Sequence, residues 1–326
     1  MRQQYDEEKG ATLLSVLVIV MLMSAAAVAA TDALARSIMV ARSSGARAET
    51  FWTARGAADA AAAYLAKAME TTGGALNEES ALFTQPVTLP AGHGIVAITV
   101  REASNCFNLN ALLDDTGAAG VADDQLMAYR DFLTATGLNE AEAQSLADKL
   151  ADWIDSDMSS RTYGAEDGYY ASRAEPYRTA GARLRSLSEL SAVAGYDPEI
   201  LARIGNLVCL RPGIAQSVLN VNTLTPDQAP LLSGLFSAEL SESEALSLIE
   251  GRPPGGWADV DVFLQEPLIV QIAPNARHDA AVSVVSSYLA ADVDVGTGDL
   301  ATAYRALYGR AAGGAVSLVS LVRRDF

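Results

Sequence analysis

The chain has 326 residues, and its 23 basic and 40 acidic side chains give a formal net charge of −17. This length leaves room for two or three small domains in addition to a membrane segment. A surface this acidic repels nucleic acids and other phosphate-rich partners, which proteins bind through clusters of lysine and arginine, so the charge argues against a nucleic-acid-binding function.

The N-terminal segment is the most informative part of the chain, because residues 11–30 carry no charged side chain and are mostly apolar. Twenty helical residues reach about 30 Å, the thickness of the hydrocarbon core of a bilayer. Between Asp32 and Met69 there is no proline, and alanine is frequent. One continuous helix is therefore predicted from Thr12 to about Glu70, with its first part crossing the membrane.

A cleaved secretory signal is the alternative to a retained membrane helix. The small residues Ala27-Val28-Ala29 would suit a cleavage site, but two other features of a signal are missing. The first ten residues contain three acidic and two basic side chains, whereas a signal begins with net positive charge. The apolar run also exceeds the usual length of about 7–15 residues. The sequence therefore favours a retained helix.

Beyond the long helix, the pattern changes from strand to helix and back to strand. Strand signals in residues 84–103 are clearest from Gly94 to Arg101, where β-branched residues partly alternate. Helical patterns then run to Gln265, interrupted by a short β-rich piece at 217–222. This order predicts one sheet that carries a helical insertion. The main predicted helices are Asp123–Thr136, Asn139–Ile154 and Ser186–Ala194, and the last predicted strands are Ala281–Val295, Ala301–Tyr308 and Ala315–Arg323.

The start of the chain resembles a type IV prepilin. A polar leader ends in Gly10 and is followed by Ala11, a threonine, two leucines and the apolar run. The resemblance implies that prepilin peptidase cuts after Gly10 and that the amine of Ala11 is then methylated. Pilins usually carry glutamate as the fifth mature residue, where it pairs with the amine of the subunit ahead, but this chain has Ser15. The substitution points to a filament tip, because a tip subunit has no such amine to pair with.

Four further motifs resemble the K component of type II secretion systems, the large minor pseudopilin. They are Asn105–Asn110, Asp152–Asp157, Gly164–Tyr170 and Asn220–Thr223. The resemblance implies an α+β fold in which a long N-terminal transmembrane and amphipathic helix packs on an antiparallel pilin-like sheet. It also implies a large inserted all-α domain of two SAM-like units. The implied segments are a leader (1–10), the N-terminal helix (11–70, with 11–30 in the membrane), the first part of the pilin-like core (71–106), two SAM-like units (107–215 and 216–275, the second helix-hairpin-helix-like) and the C-terminal strands (276–326).

The same resemblance implies a function and a set of partners. The protein would be a non-enzymatic subunit at the tip of the pseudopilus, where it caps and initiates the filament that exports folded proteins from the periplasm across the outer membrane. It would span the inner membrane once, with its soluble part in the periplasm. Its partners would be the I and J minor pseudopilins, prepilin peptidase and inner-membrane lipid, without nucleic acid. The side chains expected to pack against neighbouring helices in the membrane are Leu13, Leu14, Ser15, Val16, Leu17 and Val20.

The chain contains two cysteines, Cys106 and Cys209, so only one pairing within the chain exists. In an oxidising periplasm a disulfide would join the two ends of the first helical region and stabilise it by several kcal/mol in the chain-entropy model. The alternative is a pair of buried free thiols. The indications of export favour the disulfide.

An acidic loop provides the best candidate site. With Asp155 as the first ligand, Asp157 is third and Glu166 twelfth, which is the ligand spacing of an EF-hand. Ser160 occupies the sixth position, where an EF-hand requires glycine, so the loop is not an EF-hand. The alternative is a solvated acidic loop after a helix end, with Trp153 simply buried. Since members of the resembled family bind calcium, a calcium site is predicted from Asp152, Asp155, Asp157, Glu166 and Asp167.

Other chemistry-bearing patterns are weak. His93 and His278 are the only histidines, and neither lies in a metal-binding or catalytic motif. A Gly-Thr-Gly sequence at 296–298 suggests a hairpin turn rather than a dinucleotide site, because strands are predicted on both sides. The remaining acidic groups are interpreted as loop, helix-start or exposed-strand residues: Asp114-Asp115, Asp123-Asp124, and Asp292 with Asp294 and Asp299.

Two alternatives from other functional classes remain open at the level of sequence. One is a periplasmic hydrolase with a signal peptide. The other is a DNA-uptake adaptor, because residues 222–249 resemble a helix-hairpin-helix motif, whose backbone amides bind phosphates in DNA-binding proteins. Here the hairpin is followed by Glu239, Glu242 and Glu244 rather than by basic residues, which favours protein packing over DNA binding.

Overall fold

The structure is a computed structural model, and it describes residues 2–91, 94–113, 120–212, 216, 218–237, 239–297, 300–311 and 313–324. Within these ranges the chain forms a long N-terminal helix, a five-stranded sheet and a helical block that is inserted between the second and third strands of that sheet. The helices are α1 (Arg2–Thr71), α2 (Ala81–Thr84), α3 (Asp123–Ala135), α4 (Glu140–Ile154), α5 (Asp167–Ala171), α6 (Pro198–Ile204), α7 (Ala229–Gly234), α8 (Glu242–Glu250), α9 (Val260–Leu264) and α10 (Pro267–Val270). The strands are β1 (Val87–Ala91), β2 (Gly94–Glu102), β3 (Phe107–Asn108), β4 (Val208–Cys209), β5 (Leu219–Asn220), β6 (Val282–Ser283), β7 (Tyr288–Thr297), β8 (Leu300–Arg310) and β9 (Val316–Arg324).

Helix α1 is a single unbroken helix of 70 residues, so it is about 105 Å long. This confirms the predicted continuous helix. It contains the one candidate membrane span in the described part of the chain, with a mean hydropathy of 2.7 over its most apolar window. From Leu13 to Glu49 nearly every side chain is exposed. The N-terminal half of α1 therefore projects from the rest of the molecule as an apolar rod.

The C-terminal half of α1 packs on one face of the sheet. Its buried residues recur every three or four positions, from Ala54 through Leu65 to Met69, as a helix packed along one side requires. The sheet has the order β1-β2-β7-β8-β9, and all of its pairings are antiparallel. Alternate residues of β2 and β7 face the helix, and the Tyr308 hydroxyl of β8 donates to the carbonyl of Ala58 at 2.9 Å. The predicted combination of a long helix and an antiparallel sheet is confirmed.

The helical block lies between β2 and β7 in the chain and forms two hydrophobic clusters. The first cluster is built mainly from residues 107–208, around Tyr129, Phe132 and Leu150. The second extends from Val221 to Val284, beyond the residue 275 at which the second unit was predicted to end. A two-residue parallel ladder joins the ends of each region, β3 with β4 and β5 with β6.

Three element predictions differ from the structure in detail. The segment 186–194 is a 3-10 helix over Leu187–Ala192 rather than an α-helix, although Ser186 is its N-cap as expected. The strand predicted over 281–295 is divided, because Val282–Ser283 pairs with β5 and the long strand begins only at Tyr288. The chain uses the intervening residues to pass from the helical block to the sheet. Of the β-rich piece at 217–222, only Leu219–Asn220 is a strand, and residue 217 lies outside the described residues.

The weak patterns also have definite positions. Strands β7 and β8 pair from Tyr288–Gly309 to Thr297–Leu300, so a strand rather than a helix follows the Gly-Thr-Gly sequence, and the hairpin interpretation is confirmed. Asp123 and Asp124 lie in the first turn of α3. Asp294 is exposed on β7 as predicted, whereas the side chain of Asp292 is only 15% exposed and forms ion pairs with three arginines. These arginines are Arg101, Arg305 and Arg324. His93, Asp114, Asp115, Gly298 and Asp299 lie outside the described residues.

Candidate functional site

The exposed rod of α1 is the first candidate functional feature. Leu13, Leu14, Val16, Leu17 and Val20 are each more than half exposed, at 65%, 66%, 57%, 60% and 54%. Ser15 is also exposed. The predicted packing residues are therefore available to contact other helices or lipid. The predicted processing site between Gly10 and Ala11 lies within the same helix.

A polar junction connects the helical block to the segment that follows α1 and to the sheet. The Asn220 amide donates to the carbonyl of Leu76 at 3.2 Å and to the Ser286 hydroxyl at 2.9 Å. The backbone N–H of Asn220 in turn donates to Asn105 Oδ1 at 2.8 Å. Glu102 accepts from the hydroxyls of Thr223 and Ser286. Because these partners come from distant parts of the chain and are mostly buried, they hold the block in a fixed position relative to the helix.

Each half of the block contains an equivalent pair of asparagines that makes the same set of hydrogen bonds. In the first half, Asn108 Oδ1 accepts from the N–H of Asn110, and the Asn110 amide makes two hydrogen bonds with the backbone of Leu184, at 3.1 and 2.9 Å. In the second half, Asn220 Oδ1 accepts from the N–H of Asn222. The Asn222 amide makes the same two bonds with the backbone of Trp257, at 2.9 and 2.8 Å.

This duplication extends to the flanking helices. Capping boxes begin α4, with Asn139 and Glu142, and α8, with Ser241 and Glu244. The two halves differ in the connection that follows, which is residues 155–183 after α4 but only residues 251–256 after α8. The role of these two asparagine motifs was not predicted from the sequence. The signal that would have revealed it is the Asn-x-Asn spacing, which occurs at the start of each half.

The long connection carries the acidic loop, and both of its ends are fixed. Helix α4 ends at Ile154, with Asp155 as its C-cap. The other end is held by the hydrogen bonds between Asn110 and Leu184. Trp153 is buried and packs edge-on against Tyr170, with ring centroids 5.2 Å apart. The loop therefore lies on a rigid aromatic support.

Three of the five predicted ligands converge in this loop. Asp155, Asp157 and Glu166 each offer a carboxylate oxygen, and these oxygens lie within 4.8 Å of one another. Asp155 and Glu166 are only 1% and 8% exposed. Neither oxygen of Asp155, nor Oε1 of Glu166, accepts a hydrogen bond. Buried polar atoms without a partner are costly, so these oxygens are suited to binding a cation.

The electrostatics of the cluster agree with that interpretation. Burial, together with the neighbouring charge of Asp157, raises the pKa of Asp155 to about 7. Burial also raises the pKa of Glu166. The guanidinium of Arg161 approaches Asp155 Oδ2 only to 3.8 Å, so one distant positive charge faces three carboxylates. An oxygen-binding cation such as Ca²⁺ would relieve their mutual repulsion.

The other two predicted ligands are not part of this converging group, and their carboxylates accept hydrogen bonds within the loop. Asp152 is fully buried and accepts from the N–H of Arg161 and from the Ser160 hydroxyl, the latter at 3.2 Å. It lies so close to Gly164 that a Cβ there would be 1.9 Å from Asp152 Oδ2. Asp167 Oδ1 accepts from both the N–H and the hydroxyl of Thr179, each at 2.9 Å. These bonds lower the pKa of Asp167.

The structure joins Cys106 and Cys209 in a disulfide, with their Cα atoms 5.7 Å apart. Cys209 lies in β4 and pairs in register with Asn108 of β3. The bridge and this parallel ladder together close the first half of the block. The structure thus shows the predicted disulfide rather than two buried free thiols.

Comparisons with known proteins agree with this arrangement. Two family models described as "Type II secretion system (T2SS), protein K" match the chain, one over residues 105–213 and the other over residues 219–284. The type II secretion system protein K of Pectobacterium carotovorum subsp. carotovorum is 32% identical over 301 residues, which cover 90% of each chain. That of Klebsiella pneumoniae is 33% identical over 267 residues, 80% of each chain.

The chain belongs to the type II secretion system protein K family. It is thus a minor pseudopilin, a structural component of the secretion system, and the hydrolase and DNA-uptake alternatives no longer apply. A solved relative is found in the crystal structure of the GspK-GspI-GspJ complex from the enterotoxigenic Escherichia coli type 2 secretion system. It matches with a TM-score of 0.72 and 26% identity over 87% of this chain and 99% of that chain. The family resemblance drawn from the sequence motifs is confirmed.

Proposed function

We propose that this protein K caps the pseudopilus and helps to initiate its assembly from the inner membrane. Prepilin peptidase would cut after Gly10, the apolar rod of α1 would stay in the membrane, and the head would lie in the periplasm. The observation that carries the proposal is the combination of an exposed apolar rod with a broad helical block fixed at its other end. A block of this width does not fit inside a helical shaft of packed pilin-like subunits, so the subunit ends the filament.

The partners proposed for this chain are the I and J minor pseudopilins. Support comes from the solved relative, which forms a complex with GspI and GspJ. The rod supplies a physical basis for such an assembly, because Leu13, Leu17 and Val20 lie on one side of α1 and are exposed. In lipid, helices associate through close side-chain packing rather than through the hydrophobic effect. The exposed rod would therefore pack against the rods of neighbouring subunits.

Tip placement is tested by labelling the head. A short biotin-acceptor peptide inserted at the exposed segment 173–175 would leave the rod and the hydrophobic clusters unchanged. Filaments purified from a strain that carries this variant would be treated with gold-labelled streptavidin and imaged by electron microscopy. We expect gold at one end of each filament, whereas the same tag on the shaft-forming subunit should label the whole length. Gold distributed along the shaft in the protein K variant would contradict the proposal.

We also propose that the helical block consists of two SAM-like units inserted into a pilin-like core. The duplicated asparagine pairs, capping boxes and two-residue parallel ladders support a repeated unit. The first unit would occupy the region from Phe107 to Cys209. The second would begin near Leu219 and, on the extent of its hydrophobic cluster, end near Val284. The long acidic loop is then an addition that only the first unit carries.

For the acidic loop we propose a calcium site formed by Asp155, Asp157 and Glu166. Support comes from their converging oxygens and from the buried acceptors that lack hydrogen-bond partners. A bound Ca²⁺ would supply positive charge to a cluster that otherwise consists of mutually repelling carboxylates. Asp152 and Asp167 would position the loop through their bonds to Arg161 and Thr179.

Calcium removal should lower the thermal stability of the head. Calcium sites of extracellular modules have Kd values of about 0.1–1 mM, and we expect a similar range for a periplasmic site. At a hundredfold excess over Kd, binding contributes about 2.7 kcal/mol, which corresponds to a Tm shift of roughly 5–10 °C. The measurement is Tm of the full chain in detergent, with calcium or with a chelator.

Variants identify the ligands. Asp155→Asn should abolish the shift of Tm with calcium, because it removes the negative charge of the most deeply buried of the three ligands. Glu175→Gln, at an exposed position of the same loop, changes the net charge equally and should keep the full shift. A Tm that does not respond to calcium in the unsubstituted protein would favour the solvated-loop interpretation.

A further inference from the structure

Arg211 is placed directly against the disulfide. Its Nη2 donates to Cys106 Sγ at 3.3 Å and also to the carbonyl of Ala103. Its guanidinium carbon lies 4.6 Å from the centroid of the Tyr288 ring. Its backbone N–H donates to Asn108 Oδ1, which fixes the start of the side chain. Three contacts of the guanidinium, together with this backbone bond, thus hold the cation on the Cys106 side of the bridge.

The positive charge of Arg211 has little compensation in this structure. Among the residues that the structure describes, no carboxylate forms an ion pair with it. Its Nε is buried and has no hydrogen-bond partner. Glu102 exerts a favourable charge effect on Arg211, but its carboxylate already accepts hydrogen bonds from the N–H groups of Ala103 and Ser104 and from two hydroxyls. A partly buried cation without a close anion is unfavourable.

Opening the disulfide would create the missing anion. A thiolate is stabilised by an adjacent arginine, which lowers the pKa of the thiol. In thiol–disulfide exchange, the sulfur with the lower pKa is the better leaving group. Cys106 lines a cavity of about 280 Å³ and is 6% exposed, while Cys209 is partly exposed. Exposure therefore favours attack at Cys209, and the charge beside Cys106 independently favours Cys106 as the leaving thiolate.

We propose that exchange at this bridge is directional, with Cys209 as the sulfur that is attacked and Cys106 as the thiolate that leaves toward Arg211. The partner class is a dithiol–disulfide oxidoreductase. In reduction, its thiolate bonds to Cys209 Sγ while the Sγ–Sγ bond breaks and its electron pair goes to Cys106. The second thiol of the partner, as thiolate, then breaks the mixed disulfide and releases Cys209 as a thiolate.

Oxidative formation of the bridge follows the same steps in reverse. The Cys209 thiolate attacks the disulfide of the oxidant and displaces one of its sulfurs. The Cys106 thiolate, held by Arg211, then attacks Cys209 Sγ and displaces the other. The two thiols of this chain lose two protons and two electrons, and the oxidant becomes a dithiol. Arg211 acts here as a positioning residue, because it keeps Cys106 deprotonated and next to Cys209.

The unsubstituted protein provides the first test. Folded full-length protein in detergent is exposed briefly to excess reduced glutathione, quenched with acid and digested, and the mixed disulfides are located by mass spectrometry. We expect glutathione predominantly on Cys209. An adduct predominantly on Cys106, or equal amounts on both cysteines, overturns the proposal.

A pair of arginine variants tests the role of the charge. Arg211→Met should slow reduction of the folded protein by dithiothreitol at pH 7 by about threefold to tenfold, because the leaving thiolate loses its counter-charge. Arg252→Met is the matched control: Arg252 also donates to backbone carbonyls, those of Asn222 and Leu224, but it does not contact the disulfide. Its rate should stay within about twofold of the unsubstituted protein. Equal rates for the two variants overturn the proposal.

Titration of the Cys106 thiol measures the effect of the Arg211 charge directly, separately from any change in the stability of the protein. In the Cys209→Ser variant, thiolate absorbance should give a pKa for Cys106 below the ordinary value of about 8.5. Adding Arg211→Met should raise this pKa above that value, and Arg211→Lys should restore most of the effect. An unshifted thiol in the presence of Arg211 overturns the proposal. If Arg211→Met fails to fold, the adduct test in the unsubstituted chain still decides the matter.

Discussion

A chain with alanine at both Cys106 and Cys209 is expected to lose about 4–5 kcal/mol of its free energy of unfolding. The disulfide closes a loop with a sequence separation of 103 residues, and in the chain-entropy model the stabilisation grows with loop length. The bridge is also adjacent to the two-residue ladder of β3 and β4, a connection too short to hold the first unit together alone. The first helical unit should therefore open before the rest of the head.

This expectation is measured by denaturant unfolding of the full chain in detergent. Trp153 reports on the first unit and Trp257 on the second, and both indoles are buried. Reduction of the unsubstituted protein should reproduce the loss, and either single alanine variant should match the double variant. A loss below about 1 kcal/mol would mean that the block does not depend on the bridge.

The Gly256→Ala variant is expected to destabilise the second unit by at least about 3 kcal/mol in total. Gly256 has a φ of +85°, and a Cβ there would lie 2.5 Å from the amide carbon of Asn222. The new methyl group would displace the side chain whose two bonds hold the backbone of Trp257. Each buried group left without a partner costs about 1–3 kcal/mol. Left-handed backbone strain adds about 1–2 kcal/mol for alanine.

The neighbouring glycine is a matched control. Gly255 has almost the same φ, +83°, but a Cβ there meets nothing within 4 Å. Gly255→Ala should therefore show the backbone strain alone, about 1–2 kcal/mol. The difference between the two variants in urea unfolding, followed by the fluorescence of Trp257, isolates the contribution of the Asn222 contact. Equal losses would show that the contact adds nothing to stability.

Features that depend on neighbouring residues were predictable from the sequence. Helix α1 follows from a long alanine-rich stretch without proline, and the structure confirms it as one helix. The capping box of α4 is visible in the pattern Asn139-x-x-Glu142. The antiparallel β8–β9 hairpin follows from two β-rich runs joined by glycines. In each case the determinants lie within a few residues of the element.

Features that depend on distant contacts were not predictable in the same way. Asn110 and Asn222 bond to backbone groups 74 and 35 residues away, so their role follows from tertiary packing. The acidic loop shows the same limit. Ligand spacing identified Asp155, Asp157 and Glu166, but it did not separate them from Asp152 and Asp167. That separation depends on which backbone and hydroxyl groups approach each carboxylate.

Retention of α1 as a membrane anchor and assembly surface is central to the proposed function. Its C-terminal half is part of the hydrophobic core, where Ala54, Ala58 and Leu65 are fully buried. The apolar half continues the same helix without a break. The head and the rod therefore share one continuous helix, as the proposed tip placement requires.

The most direct test of this account is the N-terminal residue of the processed protein, determined by sequencing or intact mass after purification from membranes. We expect the mature chain to begin at Ala11 with a methylated amine and to keep the whole rod, and the Gly10→Leu variant to keep its leader. A mature chain that begins at Thr31, recovered free in the periplasm without the rod, would contradict the account.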